Sequence, residues 1–538
     1  MTPQGYILMV LHAHLPFVRH PEFPFFLEEQ WYYEAMIETY VPLLLMMQRL
    51  YDEGVYFRLT MSLTPPLCAM MEDELLGQRF QKHLHKLIEL AERERARVGD
   101  HSPFTSVVDM YRRKLHEIRA FYQDRWGGKI LRAFAEMQRG GGLDIISCAA
   151  THGFLPLMEM VPGAVRAQLG VAVDDYMRHF GCRPQGLWLP ECGYYPGLDR
   201  TLKEFGLRYF FLETHGVLHA DRRPKYGVYA PLYCPSGVAA FGRDTESSKA
   251  VWSAEEGYPG DYRYREFYRD IGFDLPLGYI QNYIHPDGIR INTGLKYYKI
   301  TGTGNHKEPY RESEALALAA EHAGNFLFNR VKQVEHLHGM FGHERKPLVV
   351  SLYDAELYGH WWYEGPVFLE QFFRKMHALQ QQLRPVTAAE YLREYPLNQK
   401  ALPSQSTWGN KGYNEVWLES SNDWIYRHLH VAAERMIAAV QDYPHSTGLQ
   451  GRALNQMARE LLLAQSSDWA FIMKTGTHVD YAVRRTREHL GYFDRLHSTL
   501  REGNINEAFL HQCESQDNVF PHINVRHFCA AAPTEQRP

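Results

Sequence analysis

Two carboxylates stand where buried strands would end. Glu191 follows a short apolar run in Trp188-Leu-Pro-Glu191-Cys-Gly-Tyr194. Asp354 closes Ser351-Leu-Tyr-Asp354, with Glu356, His360, Trp361, Trp362 and Tyr363 behind it. Two carboxyl groups on rigid supports can act as nucleophile and acid/base in glycoside chemistry, where a retaining enzyme needs them about 5–5.5 Å apart. Trp188, two residues before Glu191, shares its side of the strand. Glu191 alone also reads as a surface acid beside a core tryptophan. The dense aromatic and acidic run after Asp354 is costly to expose without a purpose.

A third cluster is His12-Ala-His14-Leu-Pro16. Two histidines at i and i+2 project from one side of a strand. Three roles fit them: a metal pair, as in metal-dependent deacetylases; hydrogen-bond donors to sugar hydroxyls; or buried rings bonded to the backbone.

These residues need a scaffold. Tyr6–Leu11, Val55–Thr60, Leu143–Cys148, Gly186–Pro190, Arg208–Leu212 and Pro347–Tyr353 are short apolar runs, each leading into polar residues. Runs of this length between helical stretches read as buried parallel strands, and chemistry at their C-terminal ends is the mark of a β/α barrel. Residues 75–98 and 108–138 are too long for one crossover and predict a helical insertion over about 65–140. Thr201–Gly206 and Glu312–His338 read as connecting helices. Residues 235–260 are rich in Gly, Ser, Pro and charge, with weak periodicity, and predict a long lid-like loop. Pro, Asn, Gln and Ser cluster between 396 and 405 and mark a boundary. Beyond it the period is helical, as in Leu454, Met457, Ala458, Leu461 and Leu462. The expected fold class is therefore α/β. The catalytic domain spans 1–400, a helical C-terminal domain 401–525, and a flexible tail 526–538.

Bulk properties narrow the function. Of 538 residues, 45% are hydrophobic and 22% charged, which suits a globular protein of more than one domain. Aromatic content is 13%, with 34 Tyr, 28 Phe and 10 Trp, and flat rings stack on the apolar faces of sugars. A net charge of −5 offers no basic field for nucleic acid or an anionic membrane. No apolar run approaches the roughly 20 residues that span a bilayer, and no secretory leader is read at Met1–Val10. Seven scattered cysteines without a CxxC pair read as reduced thiols in the cytoplasm, and they argue against a cysteine-based zinc site. The default expectation is a monomer.

The ordered motifs His12-Ala-His14-Leu-Pro16, Thr151-His152-Gly-Phe154, Trp188-Leu-Pro-Glu191-Cys-Gly-Tyr194 and Ser351–Trp362 resemble those of glycoside hydrolase family 57. Thr407-Trp408-Gly-Asn-Lys-Gly412, Trp417–Trp424 and Ser466-Ser-Asp468-Trp469 resemble its 1,4-α-glucan branching enzymes. The resemblance covers about residues 5–525. It implies a (β/α)7 barrel with the helical domain packed against its mouth. It also implies Glu191 as nucleophile, Asp354 as acid/base, and no metal or cofactor. His12, His14 and His152 would line the donor-sugar subsite. Trp31, Trp408 and Trp417 would be sugar platforms, Trp361 a further substrate-binding residue, and Arg265 and Asp468 polar substrate contacts. The partner would be an α-glucan such as amylose or glycogen.

That chemistry needs Asp354 protonated while Glu191 is ionised, so their surroundings must separate the two pKa values. Trp361 and Trp362 are expected to desolvate Asp354, and the histidines to favour ionised Glu191. A 4-α-glucanotransferase or an α-amylase of the same family would share both carboxylates. A metal-dependent polysaccharide deacetylase or a non-catalytic glucan binder would not need both.

Overall fold

The computed structural model describes residues 3–529 except 254, 255, 303, 305 and 343. Among the described residues there are nine strands. They are β1 (Gly5–Ala13), β2 (Leu59–Leu63), β3 (Leu143–Ile146), β4 (Gly186–Leu187), β5 (Tyr209–Leu212), β6 (Leu232–Tyr233), β7 (Ala239–Gly242), β8 (Leu348–Asp354) and β9 (Leu383–Pro385). Parallel pairing runs β3-β2-β1-β8 in one sheet and β4-β5-β7 in the other. A parallel bridge between Ser147 and Leu187 joins β3 to β4. Beyond the end of β7, the Asp244 N–H donates to the Val350 carbonyl of β8 at 2.8 Å. Seven parallel strands thus close into a (β/α)7 barrel. β6 pairs antiparallel to β7, and β9 lies beside the start of β1.

The two-residue period of a strand sorts the side chains. Tyr6, Leu8 and Val10 of β1 pack in the barrel interior with Leu348, Val350 and Leu352 of β8 and with Trp188. Ile7, Met9 and Leu11 face the outer helices instead. The next inward positions are His12 and Asp354, directly opposite each other in register, with Ser62 of β2 on the other side of His12. The apolar interior therefore ends in a polar ring at the strand C-termini.

Residues 65–139 are mainly helical, with helices Pro65–Glu72, Glu74–Val98, Thr105–Arg119 and Ile130–Arg139. Asp73 caps the second by accepting from the Leu76 N–H. Leu76, Phe80, Leu84, Leu87 and Ala91 form its buried stripe. Five further α-helices between Trp424 and Gln516 build the C-terminal part. That part meets the barrel at its mouth. The Ser467 N–H donates to the His152 carbonyl at 3.1 Å, and Gly153 bridges Ser466.

Three expectations need correction. Residues 235–260 are not one loop: they hold barrel strand β7 and the helix Thr245–Trp252, capped by Asp244. β7 is buried throughout, so its Ala-Ala-Phe-Gly run carries no alternation. The helix lays Ser247 against Ser351 of β8, a polar core contact that reads as loop composition. The second run begins pairing at Leu59, later than expected, and continues to Leu63. Of the tail 526–538, residues 526–529 continue a short turn whose Phe528 is buried, while 530–538 lie outside the described residues.

Candidate active site

An open cleft of about 860 Å³ lies over the strand C-termini. Both Glu191 and Asp354 line it, as do His12, His14, His152, Trp408, Trp417 and Asp468. Glu191 sits just past β4, and Asp354 is the last residue of β8. Three residues of this mouth are conformationally unusual. His152, Glu191 and Cys192 have φ of 58°, 60° and 50°, in the left-handed region that costs a residue with a Cβ. The C-terminal part holds two of them in place: Trp408 N–H donates to the Glu191 carbonyl at 3.0 Å, and Ser467 N–H to that of His152.

The Glu191 side chain is gripped from the same side. The Trp408 indole N–H donates to Oε2 at 2.8 Å, and the Ser467 hydroxyl donates to Oε1 at 3.5 Å. A relay of rings leads away from it. His152 Nδ1 lies 2.8 Å from Ser467 Oγ, His152 Nε2 lies 2.9 Å from His12 Nε2, and His12 Nδ1 lies 3.2 Å from Ser62 Oγ. Burial drives both histidines well below their ordinary pKa, so both are neutral. If Ser467 donates to Glu191, His152 must donate from Nδ1 and accept at Nε2, and His12 must donate from Nε2; this tautomer assignment rests on the network. His12 also stacks on Trp188, with centroids 4.6 Å apart.

His14 Nε2 meets the Asp468 carboxylate at 3.0 Å, and its Nδ1 meets Thr64 Oγ1 at 3.0 Å. Burial would raise the Asp468 pKa, but His14, His152 and Ser466 hold it down at about 2. His14, His152 and Asp468 have the atom types of a metal site, as do His12, Cys148 and His152. In both sets the ligand nitrogens are engaged in hydrogen bonds to one another or to neighbouring oxygens.

The two central carboxylates differ. Burial lifts the Glu191 pKa to about 7, and Asp468 adds to the rise; Trp408, His14 and Ser467 pull it back. Burial also pushes Asp354 well above the usual carboxylate range, and the charges of Glu356 and Glu191 push it further; Arg243 opposes them. No hydrogen bond to the Asp354 carboxylate is found among the described residues. Both carboxyls are thus pushed up, but only Glu191 has hydrogen-bond donors that favour its ionised form.

Trp361 and Trp362 are not the source of that desolvation. Trp362 packs in the core against Tyr264 and Phe368, and Trp361 is 52% exposed, stacked on Phe267 away from the cleft lining. Two other expected contacts also lie elsewhere. Arg265 is buried: its Nη1 donates to Glu38 at 3.0 Å and to the Tyr111 hydroxyl at 3.2 Å. A buried guanidinium must be paired, and this one is paired within the protein. Trp31 turns edge-on to His478 and Tyr481, at the seam between the barrel and the C-terminal helices. Trp417 does line the cleft, stacked on Phe154 at 4.4 Å.

Several residues in or beside the cleft were not expected as contacts, among them Glu356, Arg243, Trp252 and Ser467. Glu356 accepts from the His14 N–H and makes a short bond with the Tyr40 hydroxyl. Arg243 pairs with Glu213 at 2.8 Å and lies over the Trp408 ring. Trp252 lines the cleft, and Ser467 reaches it through Glu191. Glu356 and Ser467 stood inside the quoted motifs, whereas Arg243 and Trp252 fell in the segment read as a loop. A smaller cavity of about 110 Å³, beneath the helical insertion, contains neither central carboxylate.

The sequence model of glycosyl hydrolase family 57 matches residues 8–403, which is most of the chain. The chain belongs to glycosyl hydrolase family 57. A second model, the C-terminal domain of 1,4-alpha-glucan branching enzymes, matches residues 428–528. A 1,4-alpha-glucan branching enzyme of Thermococcus kodakarensis is 32% identical, over 99% of this chain and 80% of that protein. Among solved structures, a novel alpha-amylase of Thermotoga maritima is 46% identical with TM-score 0.92, covering 98% of this chain and 99% of its own. A family 57 branching enzyme of Pyrococcus horikoshii is 31% identical with TM-score 0.87, covering 99% and 98%. Among the described residues, no helix is long and apolar enough to cross a membrane.

Proposed function

We propose that this enzyme is a 1,4-α-glucan branching enzyme working in the cytoplasm by a retaining double displacement. Protonated Asp354 donates its proton to the leaving 4-oxygen of an α-1,4 link, while ionised Glu191 attacks the anomeric carbon. The C–O bond breaks, and a covalent glycosyl–Glu191 ester forms. Asp354, now a carboxylate, takes the proton from the 6-hydroxyl of a second glucan. That oxygen attacks the anomeric carbon, the ester breaks, and an α-1,6 branch is released with Glu191 regenerated. Water attacking instead would give hydrolysis, so the outcome depends on positioning the acceptor and excluding water.

One observation carries this reading. Glu191, the proposed nucleophile, is held by Trp408 and Ser467, from the segments that follow the barrel. The helices that supply Ser467 lie in the region matching branching-enzyme C-terminal domains. Cleavage and acceptor placement would thus share one set of residues.

A second reading, α-amylase, is favoured by the 46% identity to the Thermotoga maritima protein. Purified enzyme incubated with linear amylose separates the two. Branching predicts lost iodine colour with few new reducing ends, and many short chains released only after debranching. Reducing ends that rise without new branches would establish the amylase instead.

A further inference from the structure

One motif residue has no role in the cleft. Trp361 was singled out by its sequence, yet it is 52% exposed and faces outward. Its indole is stacked on Phe267, with centroids 4.3 Å apart and planes 26° apart. Tyr268, 80% exposed, stands edge-on to Phe267 at 5.2 Å.

The surface is built rather than loose. His360 packs edge-on against Phe267 at 5.1 Å, and the Lys296 ammonium lies 4.1 Å from the same ring. The Trp361 N–H donates to the Glu356 carbonyl at 3.0 Å, and Glu356 itself lines the cleft. The aromatic surface is therefore anchored to the turn that follows Asp354. Among the described residues, neither the Trp361 indole N–H nor the Tyr268 hydroxyl has a hydrogen-bond partner. A broad apolar face with free polar edges suits a pyranose, whose apolar faces stack and whose rim of hydroxyls bonds.

We propose that Trp361, Phe267 and Tyr268 form a platform outside the cleft that binds a further stretch of α-glucan chain. This rests on the reading that the substrate is an α-glucan. The platform holds the polymer near the mouth while the cleft handles the segment being cut or joined, which raises the local concentration of chains.

The test is affinity electrophoresis through native gels containing amylopectin, with the inactive Glu191→Gln protein as parent so that the polymer is not consumed. Trp361→Ala is expected to weaken retardation by about threefold or more, and Tyr268→Ala by about twofold. Trp361→Phe should keep most of the binding, which separates a lost stacking face from a misfolded turn. Phe328→Ala, which alters an exposed ring on the helix Glu312–Met340, should leave retardation as in the parent. A parent that is not retarded, or Trp361→Ala and Tyr268→Ala proteins retarded like the parent, would overturn the platform. The wild-type amylose assay reports separately on branching. Branches formed alongside unchanged retardation would sink the platform alone, and lost retardation without branches would sink the branching reading alone.

Discussion

Two groups of buried carboxylates in this barrel behave in opposite ways. Glu38 sits within the five-residue π-helical turn Met36–Tyr40, beneath the turn that carries His360. Burial alone would raise its pKa, yet the Arg265 guanidinium and the His360 ring hold it down at about 2. Glu191 and Asp354 are largely enclosed at the floor of the cleft but face no bonded cation, and both are pushed up. Burial is common to both groups, so burial does not distinguish chemistry from architecture. The partner does. A carboxylate matched by a cation has one stable charge state and fixes structure, whereas one left unmatched can exchange a proton near neutral pH.

The largest effect should come from the unmatched group. Glu191→Gln is expected to lower kcat on amylose on the order of 10⁴-fold, measured by initial rates, with the fold intact by circular dichroism. Wild-type turnover in that protein would break the comparison at its centre. The matched group should respond in stability instead. Arg265→Ala strands the Glu38 charge in the interior and should cost about 3–5 kcal/mol, read as a clear fall in Tm at neutral pH. Glu38 has a depressed pKa, so its stabilisation is full above its unfolded value and fades as pH falls towards about 2. The Tm gap between the two proteins should therefore narrow in acid. An unchanged Tm would mean that the pair is not structural.

The same contrast explains what could be read without coordinates. Inward alternation along Tyr6, Leu8, Val10 and His12, and along Leu348, Val350, Leu352 and Asp354, is a local pattern, and it places both strand-end residues correctly in the barrel. Glu191 was legible because a buried run stops at it. β7 was not, because a strand buried on both faces and built from small residues shows no period. Arg265 was misread because nothing in Arg263-Tyr-Arg265 announces a partner 227 positions away. Arg243 escaped notice for the same reason, its partner Glu213 lying on another strand end. Local periodicity is visible in a sequence, whereas the pairing that decides a buried charge's role is made by the fold.

Smaller effects sharpen the comparison within the active site. A Glu191 acting as nucleophile has to be ionised, so on the proposed mechanism kcat/KM should fall as pH drops through about 7, the value to which burial lifts it. Trp408→Phe removes an N–H that favours the ionised form, so this acid limb should move upward by about one unit. A limb that stays in place would show that the 2.8 Å bond does not tune the carboxylate.

Ser467→Ala should act in the same direction but less. Its hydroxyl reaches Glu191 only at 3.5 Å, near the limit of a hydrogen bond, so the acid limb should rise by a few tenths of a unit, roughly. Its second loss is the His152 contact at 2.8 Å, which frees the His12–His152 pair to reverse its tautomers. That reversal leaves the charge at Glu191 alone but makes His152 Nδ1, which has lost its Ser467 partner, an acceptor instead of a donor beside the substrate cleft. The pH profile and KM should therefore separate: a small shift in the first, with a larger rise in the second. A shift as large as that of Trp408→Phe would mean that the serine, rather than the indole, sets the proton affinity of Glu191.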